Sequence, residues 1–254
     1  FLRTSLLPGL LKALDHNLKH SRQNIRLFEL ANIHTSSGDT LDSIFEKKFL
    51  SGVLSGYSLE PSVHTAGLKE DLFDLKGYVE CLFVEKLGMR LNFIKKEISG
   101  FDQAWRLIVN NIKVGSMGKI SSNWIEKMNL DISEVFGFEI NLVPISHMFS
   151  KKKSFKKINS YPTISRDLNL VMRADQETGS IVDVCYKKGK KLMVDVKVVD
   201  LFEDENAIGK GMKSVTYSMS FQSPSKTLED TDVNPIIDEI INIAYKEFDI
   251  KLRT

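Results

Sequence analysis

The chain has 254 residues, 42% apolar and 27% charged, with a formal net charge of +2. Such a composition can bury a core and excludes wholesale disorder. No apolar run approaches the ~18 residues of a spanning helix, no basic start leads into an apolar stretch as in a signal peptide, and the two cysteines, Cys81 and Cys185, suit neither a disulfide framework nor a zinc knuckle. A reducing compartment, the cytoplasm, is the expected setting. At ~100–200 residues per domain, the length allows one large domain or two ordinary ones. The chain starts at Phe1 and runs straight into a motif, as a piece of a longer protein would.

In chain order, Ser5 is placed to cap a helix with Pro8 in its first turn. Leu7, Leu10, Leu11, Leu14 and Leu18 then share one helical face, which reads as core. Arg26 to Ile33 and Phe49 to Ser55 read as strands, the second ended by Gly56, and residues 57–70 as a loop. Asp71 to Leu87 is predicted as a helix whose apolar side carries Phe73, Val79, Leu82, Phe83 and Leu87, with Gly88 as its terminal cap. Leu91 to Ile98 alternates like a strand. Ala104 to Val109 and Lys113 to Ile120 flank a hairpin turn at Asn110-Asn111. Ser121 to Met128 fits a short helix, and Phe136 to Val143 a strand stopped by Pro144. Strands and helices in this mixed order predict an α+β fold, an antiparallel sheet with flanking helices, over residues 1–149.

Residues 150–160, SKKKSFKKINS, have linker composition and mark the expected boundary. Beyond them, Arg166 to Arg173 is a strand, Gly179 to Lys188 a helix, and Leu192 to Phe202 and Met212 to Gln222 two strands joined through Gly209 and Gly211. Asp232 to Phe248 is a helix and Ile250 to Leu252 a last strand. This β-α-β-β-α-β order over residues 161–254 is the ferredoxin-like split βαβ sandwich. Leu168, Leu170 and Met172, then Leu192, Val194, Val196 and Val198, then Val215, Tyr217, Met219 and Phe221 are assigned to the core face. Asn169, Arg173, Asp195, Lys197, Thr216, Ser218 and Ser220 make the opposite face polar and open, with no aromatic on it.

Few residues suggest chemistry. His16 and His20 have helical metal-ligand spacing but no third ligand nearby, so no metal site is assigned. Gly209-Lys210-Gly211 lacks the rest of a phosphate loop and reads as a hairpin turn. Asp71 and Asp74 complement a helix dipole. No catalytic residue is assigned. The suggestive feature is charge. Residues 151–191 hold 11 basic and 4 acidic side chains, whereas residues 192–254 hold 7 and 12. A basic lobe of this kind fits an RNA backbone. Lys187 and Lys188 also complement a helix C-terminus. The linker lysines read equally as a solvated tether.

Two segments together resemble a known family. Leu2-Arg3-Thr4-Ser5-Leu6-Leu7-Pro8-Gly9-Leu10-Leu11 followed by Arg26-Leu27-Phe28-Glu29-Leu30 resembles the β subunit of phenylalanyl-tRNA synthetase, as does Phe73-Asp74-Leu75-Lys76-Gly77 closed by Gly88. The C-terminal part resembles that family's ferredoxin-like anticodon-binding domain. The matching residues are Tyr161-Pro162, Ser165-Arg166-Asp167-Leu168, Val199-Asp200-Leu201-Phe202, Gly209-Lys210-Gly211-Met212-Lys213-Ser214, Thr227-Leu228 and Leu252-Arg253. In Gly118-Lys119-Ile120-Ser121-Ser122 neither the His nor the Pro is present that often follows the Gly in bacterial members.

The resemblance implies a non-catalytic class II synthetase-like domain, incomplete at its front, that assembles with a catalytic α subunit in an (αβ)2 tetramer. It implies a second domain that binds tRNA(Phe), within an enzyme that uses ATP and Mg2+ on the α subunit and needs no cofactor in this part. Arg3 stands where a class II ATP-binding motif places an arginine. The second arginine expected within residues 136–147 is missing, so Arg3 is assigned a local salt bridge or helix contact. The RNA-contacting candidates are Arg166, Lys190, Lys191, Lys210 and Lys213, with Lys152 and Lys156 as helpers. Arg166 has a competing role as a buried partner of Asp200 or Asp167. Two other readings remain: a purely structural assembly module without RNA contact, and a catalytic ligase resembling single-chain organellar synthetases, disfavoured by the missing arginine motif.

Overall fold

The computed structural model describes residues 2–38, 43–132, 134–148 and 158–253. The chain divides into two compact units, Phe1–Lys153 and Ser154–Thr254. Most of the predicted linker lies outside the described residues. Among the described residues, no helix is long and apolar enough to cross a membrane.

The first unit opens with α1 (Leu7–Lys19), β1 (Ile25–Ser36) and β2 (Ile44–Ser55). Short strands β3 (Tyr57–Leu59) and β4 (Leu68–Lys69) pair with each other inside the stretch expected to be loop. Then come α2 (Leu72–Glu80), β5 (Asn92–Lys95), β6 (Phe101–Val109), β7 (Ile112–Ile120), α3 (Ser122–Lys127) and β8 (Phe136–Asn141), with a 3-10 turn at Val143–Met148. Six strands form one antiparallel sheet in the order β1-β2-β8-β7-β6-β5.

Helices cover this sheet in two places. Leu7, Leu10, Leu11 and Leu14 of α1 pack on Ile25, Val53, Ile120 and Val135. On the other face, Leu75 and Val79 of α2 and Phe83 beyond it pack on Leu54, Leu107, Met117 and Ile140. Full burial of each such side chain contributes about 1.5–3 kcal/mol. Residues directly opposite in neighbouring strands share a face. The register Phe28↔Gly52↔Phe138 therefore puts Phe28 on the α2 face, out beyond β8. There Phe28 is 77% exposed and Leu30 52% exposed.

Local chemistry sets the helix ends, with two departures from expectation. The N-cap position of α1 is Leu6, and the strand residue Glu139 does the capping. Its Oε1 accepts from the Leu6 N–H at 2.8 Å and from the Ser5 hydroxyl at 2.9 Å. The Ser5 oxygen in turn accepts from the Leu7 N–H at 3.2 Å. At α2, Asp71 and Asp74 form a reciprocal capping box. The predicted helix to Leu87 is α-helical only to Glu80 and widens into a π-helical turn over Cys81–Lys86. That change of phase keeps Phe83 buried, but Phe73, assigned to the apolar side, lies exposed in the first turn.

The second unit runs β9 (Ile164–Arg173), α4 (Gly179–Gly189), β10 (Met193–Phe202), a single turn α5 (Glu205–Ile208), β11 (Met212–Phe221), α6 (Asp230–Phe248) and β12 (Lys251–Leu252). Its four-stranded antiparallel sheet has the order β10-β11-β9-β12, the ferredoxin-like arrangement. One face packs under α4 and α6: Leu168, Leu170, Met172, Val215, Tyr217, Met219 and Phe221 meet Ile181, Cys185, Val233, Ile240 and Ala244. The edge strand β10 corrects the simple alternation. Irregularities between Met193 and Asp195 and between Val198 and Asp200 shift its phase. Met193 and Val196 are buried, while Val194 and Val198, both assigned to the core, stay exposed. Extra residues of this kind bend a strand and spoil its free edge for further pairing.

Replacing Glu139 by alanine strips the N-terminus of α1 of its acceptor. The first unit should lose about 1.5–3 kcal/mol, the usual range for hydrogen bonds to a charged group. A lowered urea midpoint at unchanged slope would report this.

Candidate nucleic-acid interface

The basic residues singled out from the sequence occupy different surroundings in the second unit. Gly189 ends α4, buried so tightly that a Cβ there would meet the Met193 side chain. The backbone then turns through Lys190 at φ +48. Lys190 and Lys191 are both exposed, and among the described residues their side chains make no ion pair or hydrogen bond. Their neighbour Lys188 pairs with Glu239 across the two helices. Lys210 is exposed between Gly209 and Gly211, whose φ values of +97 and +71 explain the paired glycines.

Strand length separates these cations. Lys190 and Lys191 precede the ten-residue strand β10, and Lys210 lies past its far end. At ~3.3 Å per residue they stand roughly 30 Å apart. They do not form one cluster.

Arg166 and Lys213 are held by the fold. The Arg166 guanidinium pairs with Asp230, the first residue of α6, and not with Asp200 or Asp167 as weighed from sequence. It also donates to the Ser165 carbonyl at 2.9 Å. Lys213 is 8% exposed, and its Nζ donates to the carbonyls of Ala174 at 2.9 Å and Gln176 at 2.6 Å. An ammonium committed to two backbone carbonyls fixes the β9–α4 connection and is not displayed to a phosphate. Lys152 and Lys156 lie outside the described residues.

The face of the sheet away from the helices is polar, as its alternation predicts. Register aligns Asp200, Thr216 and Asn169 in one row and Phe202, Ser214, Val171 and Lys251 in the next. The expectation of a face without aromatics is corrected here: Phe202 sits opposite Ser214 and so faces the open side. Strict alternation through Val196 and Val198 would have sent it to the core, and the irregularity between Val198 and Asp200 carries it across. Arg253, just after β12, lies with its guanidinium 4.7 Å from the Phe202 ring centroid. Its Nη1 donates to the Ser214 hydroxyl at 3.4 Å, and that hydroxyl donates to Asn169 Oδ1 at 2.6 Å. Asp195 and Lys197 pair with each other on the same face at 3.1 Å.

Ionisation near this unit is set by local partners. The Lys226 ammonium donates to both oxygens of Asp232 and holds that carboxyl below its ordinary value. The Arg173 guanidinium does the same for Asp175. Burial pushes the Cys185 thiol up to about 12, so it supplies no thiolate nucleophile at neutral pH.

In the first unit, Arg3 pairs with Glu29 at 2.7 Å and donates to the Asn32 carbonyl at 3.0 Å, a local contact of the kind expected. The rings of His16 and His20 lie 4.3 Å apart. Among the described residues, no group of three His, Cys, Asp or Glu side chains is arranged to hold a metal ion.

An antiparallel sheet carrying α1 and α2 is thus followed by a ferredoxin-fold unit with a polar open face. Residues 1–142 match the phenylalanyl tRNA synthetase beta chain CLM domain, and residues 159–253 match the ferredoxin-fold anticodon binding domain. The chain belongs to the phenylalanyl-tRNA synthetase beta chain family.

Named relatives agree. The phenylalanine–tRNA ligase beta subunit of Streptococcus thermophilus strain CNRZ 1066 is 25% identical over 256 residues, which cover 99% of this chain and 31% of that one. That of Listeria monocytogenes serotype 4b strain F2365 is 28% identical, with the same two coverages. That of Buchnera aphidicola subsp. Schizaphis graminum is 29% identical over 99% of this chain and 32% of its own. The chain thus spans about a third of the length of these relatives. Among solved structures, a pyrrolysyl tRNA synthetase from Desulfitobacterium hafniense aligns at 15% identity and TM-score 0.43, over 60% of this chain and 53% of that one.

The split among the cations is testable without RNA. Lys213→Met should destabilise the second unit by about 1–3 kcal/mol, because the Ala174 and Gln176 carbonyls lose a charged donor. Lys190→Ala and Lys191→Ala should each stay within about 0.5 kcal/mol of the parent, as surface substitutions do. Urea unfolding followed by circular dichroism measures all three.

Proposed function

We propose that this chain is the C-terminal part of a non-catalytic β subunit of phenylalanine–tRNA ligase. Its first unit assembles with the catalytic α subunit in an (αβ)2 enzyme, and its second unit grips tRNA(Phe). ATP and Mg2+ are used on the α subunit, in the cytoplasm. The observation that carries the reading is the match of residues 159–253 to an anticodon-binding domain, joined to lysines at 190 and 191 that are exposed and, among the described residues, unpaired.

The mechanism is positioning. Exposed ammonium groups neutralise backbone phosphates and fix the orientation of the tRNA without reading its sequence. Each phosphate contact releases counterions, so binding weakens as salt rises. Lys190 and Lys191 serve one end of the sheet and Lys210 the other. Arg166 and Lys213 hold the surface in shape. Lys152 and Lys156 would add charge from the linker.

Assembly rests on the first unit. Phe28 and Leu30 present apolar surface on a sheet face that α2 leaves uncovered, and Phe73 does so on α2 itself. Contiguous exposed apolar surface of this sort marks partner contacts. No arginine occurs between residues 136 and 147, where a catalytic class II module would place one on ATP. That composition supports a scaffolding role.

The deciding experiment reconstitutes the α subunit with full-length β and with β cut before Lys151. Charging of tRNA should fall at least tenfold with the cut β while phenylalanine activation persists. Unchanged charging would instead support a purely structural second unit. For assembly, Phe28→Asp with Leu30→Asp should weaken the α–β association roughly tenfold or more, the scale of interface anchor residues. Both side chains are solvent-exposed, so the isolated chain should unfold at an unchanged urea midpoint. Equal association by analytical ultracentrifugation would exclude this face as the contact.

A further inference from the structure

On the α1 side of the first sheet, one row of residues crosses five strands. Register sets Glu29, Ser51, Glu139, Ser116 and Arg106 opposite one another on β1, β2, β8, β7 and β6. Residues paired in this way share a face. The hold of Glu139 on the N-terminus of α1 shows which face it is. The helix itself packs farther along the strands, on Ile25, Val53, Ile120 and Val135.

Part of the row is already committed. Glu29 pairs with Arg3 at 2.7 Å, and the Ser51 hydroxyl donates to the Phe138 carbonyl at 2.7 Å. Glu139 uses Oε1 for the Leu6 N–H and the Ser5 hydroxyl. Three neighbouring groups stay unused. Among the described residues, Oε2 of Glu139, the Ser116 hydroxyl and the Arg106 guanidinium make no hydrogen bond or ion pair, and Arg106 Nε is buried without an acceptor. Leaving a buried charged donor unmatched is costly, more so than a neutral one.

The order of the three is anion, hydroxyl, cation, at successive strand spacings of ~4.8 Å. The Cα atoms of Glu139 and Arg106 are therefore roughly 10 Å apart, and the two charges face the same side without pairing. A zwitterionic head group satisfies all three groups together. Its carboxylate accepts from the Arg106 fork and the Ser116 hydroxyl, and its ammonium donates to Glu139 Oε2. On the side of the row away from α1 stand Ile108 on β6 and Phe49 on β2, both half-buried, so a side chain directed there meets apolar surface. We propose that this row is a non-catalytic site for a free α-amino acid with an apolar side chain. The competing ligand is a simple anion on Arg106, which needs the cation and not Glu139.

Isothermal titration of the chain, with neither α nor tRNA present, separates the two. The probes are L-leucine, glycine, N-acetyl-L-leucine, L-leucinamide and sodium phosphate, and a raised urea midpoint gives a second readout of binding. L-Leucine should bind, and glycine, the acetylated form and the amide should each bind at least tenfold more weakly. Arg106→Gln and Glu139→Gln should each weaken L-leucine binding at least tenfold, the scale of one hydrogen bond to a charged group. Glu139→Gln keeps an oxygen for the Leu6 N–H, and its urea midpoint without ligand reports whether α1 stays capped. Ser116→Ala and Arg106→Gln lie outside that cap, so the test stands even if Glu139→Gln fails to fold. Equal affinity for L-leucine and its acetylated form, or undiminished L-leucine binding in a folded Glu139→Gln, would overturn the zwitterion site. Phosphate binding that is lost in Arg106→Gln, with no binding of L-leucine, would overturn it in favour of a simple anion seat. No heat and no midpoint shift with any probe at millimolar concentration would remove the site altogether. Each of these failures leaves the assembly and tRNA readings untouched.

Discussion

A residue in a sheet points to one face or the other, and every apolar face must be taken out of water. The number of helices available decides where that happens. In the second unit, α4 and α6 suffice for one face of four strands, and the other face is polar and stays open. In the first unit, α1 and α2 each cover part of a different face of a wider sheet. The strip carrying Phe28 and Leu30 is left over. Both candidate surfaces, one apolar and one polar, follow from this shortage of helices.

The same economy governs charge. A cation is available to a partner only where the fold has not already used it. Lys213 stands on the helix side of β11 and donates to the carbonyls of Ala174 and Gln176. Arg166 binds the first residue of α6, and Lys188 joins α4 to α6. Each is basic in the sequence and structural in the fold. Lys190, Lys191 and Lys210 escape because they sit in turns, where the chain changes direction and side chains have no packed neighbour. The rigid length of β10 then keeps them apart. Charge counts locate a basic lobe, and backbone geometry decides how much of it faces outward.

What the sequence disclosed follows from short-range rules. The leucine spacing of α1, the capping carboxylates of α2, the asparagine turn between β6 and β7, and the alternation of β9 and β11 depend on neighbours a few residues away. What it hid depends on distant partners. Glu139 caps a helix that begins more than a hundred residues earlier, and Arg166 finds its carboxylate 64 residues on. The irregularities in β10 are invisible to a count of alternating positions, because an inserted residue leaves the composition unchanged. The first leaves Val194 out of the pairing, and the second delivers Phe202 to the open face. Of the seven RNA-contacting candidates, three emerge exposed, two are fastened within the fold, and two fall outside the described residues.

The near balance of charge on the open face bears on how it recognises anything. Strong nonspecific grip on a polyanion needs dense positive charge, and affinity gained that way fades steeply with salt. Here lysine and arginine are interspersed with Asp167, Asp195 and Asp200, and Lys197 is partly cancelled by Asp195. A surface so nearly neutral gains little from electrostatics alone. On the tRNA-binding reading proposed above, discrimination would fall to a few groups held at fixed positions, because an ordered guanidinium loses less freedom on contact than a mobile one. Arg253, pinned between Ser214 and Phe202, is such a group, whereas the exposed side chains of Lys190 and Lys191 have no such fastening among the described residues. The two ends of the sheet therefore differ in kind: exposed lysines follow the end of α4, and a fastened guanidinium lies where Phe202, Ser214 and Arg253 meet.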